Sequence, residues 1–181
     1  MRLVLLVAWA AVAAFGQPFE IISAKGVKVP MRDGVTLTTD IYFPGRNGVV
    51  APGRFPVILE RTPYGSHVVE PWAKYFVPQG YIAIGQNVRG RYGSGGHWFP
   101  LRDDVNDGYD MAKWLGEQPW FSGKFGTVGT SYPGGTQHAL ALSNPPYLAA
   151  MIPACGSRCR SPAAPSATCR ASWPTRWKTA C

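Results

Sequence analysis

Gly126-Thr127-Val128-Gly129-Thr130-Ser131-Tyr132-Pro133-Gly134-Gly135 is the stretch from which the rest of the chain is read. Phe125 to Val128 reads as a short buried strand, and Thr136 to Leu142 as a helix. Ser131 falls at the bend between them, where a sharp strand-to-helix turn exposes a serine Oγ at the top of a sheet. The backbone N–H of Tyr132 then points into the space where an oxyanion would form. Gly129 and Gly134 remove side chains that would clash where strand meets helix. Pro133 suits the first helical turn, where a missing N–H costs nothing. The generic pattern is Gly-x-Ser-x-Gly; here the second glycine comes one place late because position 133 is proline.

Upstream of this turn, Gly26 to Pro30 and Val35 to Phe43 read as a hairpin closed by Met31-Arg32-Asp33-Gly34. Pro44 to Arg54 reads as a Gly/Pro loop. Pro56 to Glu60 is a continuous apolar run of the kind a central strand needs when both its faces are covered, and it leads into Arg61-Thr62-Pro63-Tyr64-Gly65. A short helix is expected over Pro71 to Val77, a strand over Tyr81 to Val88 and a glycine-rich loop from Arg89 to Gly96. Asp103 to Gln118 is a helix, with Val105, Tyr109, Ala112 and Leu115 at helical spacing and acidic residues in its first turn. Leu148 to Pro153 closes the series as a strand. A hairpin followed by strand–helix repeats predicts an α/β fold, a mostly parallel sheet flanked by helices.

The ends differ from this middle. Met1 to Gly16 carries one positive charge and then an apolar run, with Ala14 and Gly16 placed for cleavage before Gln17; residues 1–16 read as a secretory signal peptide. The run is short for a membrane span, and a secreted or periplasmic protein follows. Residues 17–154 form the globular part. Residues 155–181 lack periodicity, and they hold all four cysteines, at 155, 159, 169 and 181. Two disulfides and a zinc site are readings of those cysteines; the preferred one is an aberrant or disordered end resembling GC-rich DNA translated out of frame. The net charge of +8 invites a nucleic-acid reading, but five basic residues and no acidic ones follow Cys155, leaving +3 for the rest. No nucleic-acid partner is expected.

Three segments in order carry a resemblance: Arg61-Thr62-Pro63-Tyr64; Gly80-Tyr81 with Asn87-Val88-Arg89-Gly90-Arg91-Tyr92-Gly93-Ser94-Gly95-Gly96; and Asp103-Asp104, Asp107-Gly108-Tyr109-Asp110, Trp114, Gln118-Pro119-Trp120, Gly123-Lys124 and Gly129-Thr130-Ser131-Tyr132-Pro133-Gly134. From about Gly26 to Ala154 the chain resembles the N-terminal part of the cocaine esterase and Xaa-Pro dipeptidyl-peptidase family, CocE/NonD, which also includes α-amino acid ester hydrolases and glutaryl cephalosporin acylases. The family's elbow is Gly-x-Ser-Tyr-x-Gly, which accounts for the late glycine. The resemblance implies a partial α/β-hydrolase fold and a serine hydrolase acting on esters, amides or Xaa-Pro peptides. Ser131 would be the nucleophile, and the Tyr64 hydroxyl and the Tyr132 backbone N–H would be the oxyanion donors. No metal or organic cofactor is implied, and the partner is a small-molecule or peptide substrate.

Other polar residues read as structural. Arg89 with Asp103 or Asp104 reads as an ion pair bracing loops. His138 lies two turns up the helix from Ser131, about 10 Å along its axis and too far for a general base. His67 follows the Tyr64 loop, and His97 sits in the glycine-rich loop, where exposure is expected. In this fold the triad acid and histidine follow the serine. No Asp or Glu follows Glu117 and no His follows His138. The sequence therefore also admits a second reading, a non-catalytic, truncated or frame-shifted piece of such a hydrolase, with one sheet edge uncovered.

Overall fold

The structure, a computed structural model, describes residues 17–154. The signal-peptide and cysteine-tail readings lie outside the described residues. Among the described residues seven strands form one mixed sheet. β1 (Glu20–Pro30) and β2 (Thr36–Arg46) make the expected hairpin, turned at Asp33-Gly34 with the Met31 N–H donating to the Val35 carbonyl at 2.8 Å. The loop expected over Pro44–Arg54 is instead partly strand. β2 runs to Arg46, Asn47 and Gly48 turn with positive φ (53° and 76°), and β3 (Val49–Val50) pairs back on Gly45 and Arg46. An Asn-Gly pair supplies the two left-handed positions that a two-residue hairpin turn requires.

β4 (Phe55–Thr62), β5 (Ile82–Asn87), β6 (Phe121–Thr130) and β7 (Leu148–Ala154) run parallel to one another, and β5 is antiparallel to β2. The order across the sheet is β1-β2-β5-β4-β6-β7. β4 thus lies inside, as its unbroken apolar run requires. The crossovers contain α1 (Glu70–Phe76), with Pro71 in its first turn, α2 (Asp104–Gly116) and α3 (Tyr132–Leu142). Period-two alternation assigns the faces. Val57, Leu59, Ile82 and Ile84 pack with Met111, Ala112 and Leu115 of α2 and Leu140 of α3. Ala83 and Tyr42 point the other way and pack with Ala73 of α1 and with Val69 and Val77, which flank it. Among the described residues β7 is the last strand on its side, and it carries Ile152 62% exposed.

α3 begins four residues before the sequence places it. Pro133, Gly134 and Gly135 are helical despite poor propensity, because Ser131 O accepts the amides of Gly134 (2.9 Å) and Gly135 (3.2 Å). Gly135 is also closely packed: a Cβ there would sit 3.1 Å from Leu101 Cδ2, and that side chain would have to shift by a few tenths of an ångström. Among the described residues no helix is long and apolar enough to cross a membrane.

Candidate active site

β6 delivers the chain to Thr130, and α3 takes it up at Tyr132. Ser131 between them has φ 65° and ψ −120°, a conformation that L residues avoid. Its amide donates to Ala154 O of β7 at 2.9 Å, and its side chain is exposed. The turn can be this tight only because residue 129 is glycine. Gly129 has φ 143°, and a Cβ on it would lie 2.3 Å from Pro133 Cβ.

Tyr64 stands just past the C-terminal end of the neighbouring β4. Its ring meets that of Tyr132 edge-on at 6.5 Å, and it is 49% exposed. The loop carrying it is fixed at each residue. Arg61 O accepts the Thr136 hydroxyl of α3 at 3.0 Å, and the Tyr64 amide donates to Thr62 Oγ1 at 3.1 Å. The Val88 amide donates to Thr62 O at 2.9 Å, and Arg91 Nε donates to Pro63 O at 3.2 Å. Ser131 and Tyr132 after β6, and Tyr64 after β4, therefore lie at the C-terminal ends of adjacent parallel strands, where open α/β sheets place their ligands.

The ion pairs differ from the sequence reading. Arg89 does not pair with Asp103 or Asp104. It grips Asp107 (Nη2–Oδ1 2.6 Å) and Asp33 of the hairpin turn (Nη1–Oδ2 2.7 Å). These two carboxylates, Asp107 foremost, raise its already high pKa. Asp104 lies one helical turn earlier and faces β4. Arg61, 3% exposed, donates from Nη1 to Asp104 O at 2.9 Å and from Nε to Gln86 Oε1 at 2.9 Å. Its Nη2 lies 3.1 Å from Asp104 Oδ1, close enough for ion pairing but out of line for a hydrogen bond. Asp103 pairs with Arg102.

On the other face of β4, Glu60 is 6% exposed, and its Oε2 has no hydrogen-bond partner. Burial pushes its pKa up to about 7, against a smaller lowering from a hydrogen bond with Trp72. His67 and His97 are exposed, and the His67 ring lies over Gly65. Among the described residues no group of three or more His, Cys, Asp or Glu is arranged to hold a metal ion.

A mixed open sheet with a serine on a strained strand-to-helix turn defines the class: this is part of an α/β-hydrolase fold. Residues 33–162 match the model of the X-Pro dipeptidyl-peptidase (S15) family, and the chain belongs to that family. It is 39% identical over 140 residues to cocaine esterase from Rhodococcus sp. (strain MB1 Bresler), covering 74% of this chain and 24% of that protein. A CocE/NonD family hydrolase from Staphylococcus aureus superposes with a TM-score of 0.68 at 31% identity, covering 77% of this chain and 28% of that one. An α-amino acid ester hydrolase gives 0.66 at 31% identity, with 80% and 28% covered. The chain spans about a quarter of the length of these relatives.

For Tyr132 the sequence points to the backbone N–H alone. Its hydroxyl proves to be a junction, bonded to Leu101, Trp98 and Asp104. The signal available was Asp103-Asp104 at a helix start, which reads as dipole compensation and says nothing about a tyrosine 28 residues away.

Proposed function

We propose that this chain carries the nucleophile and oxyanion donors of a serine hydrolase acting on esters, amides or Xaa-Pro peptides. The observation that carries the reading is the backbone of Ser131, φ 65° and ψ −120°, at the turn from a parallel strand into a helix. A strained, exposed serine in that place has a ready chemical use and no packing use. Ser131 Oγ bonds to the acyl carbon as its proton leaves to a base. The carbonyl oxygen becomes an oxyanion that accepts the Tyr132 amide and the Tyr64 phenol. Collapse breaks the bond to the alcohol or amine, which leaves with a proton, and water then hydrolyses the acyl-serine. The acid and base of this fold follow the serine in chain order, and neither an acidic residue after Glu117 nor a histidine after His138 occurs in these 181 residues. The substrate class follows from the family relationship: cocaine esterase, an aminopeptidase and an α-amino acid ester hydrolase are among the proteins the chain is similar to.

The test is acetylation by p-nitrophenyl acetate with imidazole supplied as an external base, read by nitrophenolate release and by mass spectrometry of the modified peptide. Acetylation at Ser131 is expected, faster in the folded chain than in the same chain unfolded in urea. Ser131→Ala should abolish it. Acetyl groups placed elsewhere, or equally in Ser131→Ala, would end the hydrolase reading.

A further inference from the structure

The Tyr132 hydroxyl makes three hydrogen bonds that acyl transfer does not itself require. It accepts the Leu101 amide at 2.9 Å and the Trp98 indole N–H at 3.3 Å, and it donates to Asp104 Oδ2 at 3.0 Å. The last uses the phenol's single proton. Burial, with Asp104 close by, raises its pKa, so that the proton and the donor role are kept. Asp104 is buried in turn, and it faces Arg61 with both its carboxylate and its carbonyl. Arg61 opens the segment that ends at Tyr64, and its own carbonyl takes the Thr136 hydroxyl of α3. One carboxylate thus stands between the start of the elbow helix and the end of β4, the two places from which the proposed oxyanion donors come. The same phenol ties down the loop carrying Trp98 and Phe99, whose Leu101 side chain also rests on Gly135.

We propose that Asp104 and the Tyr132 hydroxyl are a positioning pair. They hold the Tyr132 main chain and the Arg61–Tyr64 segment in one frame, so that the amide and the phenol converge on the same oxygen, and they latch the 98–101 loop to the first turn of α3. The inference rests on the hydrolase reading of Ser131. Its physical basis is the steepness of catalysis with geometry: donors must lie near 3 Å from the developing charge, and a misplacement of about 1 Å costs roughly 10²-fold. Neither residue needs to touch the substrate through its side chain for this.

The experiment uses the full chain and the p-nitrophenyl acetate reaction in imidazole, comparing wild type, Ser131→Ala, Tyr132→Phe, Asp104→Asn and Asp104→Leu. Rates are normalised to the folded fraction from near-ultraviolet circular dichroism, and amide hydrogen exchange is followed at Leu101. Tyr132→Phe keeps the ring and deletes the latch. It should deprotect the Leu101 amide and lower the maximal acetylation rate about tenfold or more, leaving the half-saturating ester concentration nearly unchanged. Asp104→Asn keeps an acceptor for the phenol and should retain more of the rate than Asp104→Leu. A Tyr132→Phe rate within about twofold of wild type, with Ser131→Ala inert, overturns the pair and leaves the hydrolase reading standing. Equal acetylation of wild type and Ser131→Ala removes the hydrolase reading, and the positioning role falls with it.

Discussion

Replacing Ser131 by glycine should stabilise the protein, whereas replacing it by alanine should not. A non-glycine residue held at φ 65° and ψ −120° stores on the order of 1–3 kcal/mol of backbone strain. Glycine relieves it, at a cost of about 0.4–1 kcal/mol for the freedom it adds to the unfolded chain. Little else changes, since the Ser131 side chain is exposed and caps nothing; the stabilising contacts are made by its backbone, through the bonds to Ala154 O and from Gly134 and Gly135. The net gain is therefore about 0.5–2 kcal/mol, which for a folded body of this size raises Tm by roughly 2–7 °C. Alanine keeps the Cβ and with it the strain. The assay is thermal and urea unfolding of wild type, Ser131→Gly and Ser131→Ala side by side, followed by far-ultraviolet circular dichroism. Equal stability of the glycine and alanine variants would refute the reasoning, because the elbow would then hold no strain for a nucleophile to use.

Gly129→Ala should go the other way: a methyl 2.3 Å from Pro133 Cβ at φ 143° forces strand and helix apart, and a loss of about 2–4 kcal/mol in urea unfolding is expected. Arg61→Leu strands Asp104 in the interior and should cost about 3–5 kcal/mol in the same assay. Glu60, its pKa raised from 4.5 to about 7, binds a proton in the folded chain that the unfolded chain has lost. Its stabilising contribution is full below pH 4.5 and fades as pH rises through 7, so urea midpoints should fall across that window. Glu60→Gln should flatten the fall, and an unchanged slope would count against a protonated Glu60.

The hairpin and the parallel strands were legible because each rests on local chemistry: Asp33-Gly34 turns a chain by itself, and Pro56 to Glu60 has too few polar groups to lie anywhere but inside. Ser131 was legible because its neighbours, Gly129 and Pro133, are the residues that a strained turn needs. Strand lengths were less so. β6 begins at Phe121, but Gly123 and Lys124 interrupt the apolar run, and only pairing of Phe121 with Phe55 makes those residues a strand. Glu20 to Ser23 is strand because β2 continues to Arg46 beside it. Partner choice among charges was not legible. Asp103, Asp104 and Asp107 look alike in sequence, and their different places around the helix start give them Arg102, Arg61 and Arg89 respectively. The Tyr132 junction was invisible for the same reason, since it joins the start of α3 to residues 28 to 34 positions earlier.

The amide of Ser131 is held by the carbonyl of Ala154, the last residue of β7. Synthesis runs from the N-terminus, and a folding unit closes only when its last contact has left the ribosome. The serine is made 23 residues before the atom that fixes it, so until Ala154 is added the elbow between β6 and α3 stays open on one side. The turn is finished by a strand added afterwards, and the timing of that strand sets when the site first takes shape in a growing chain.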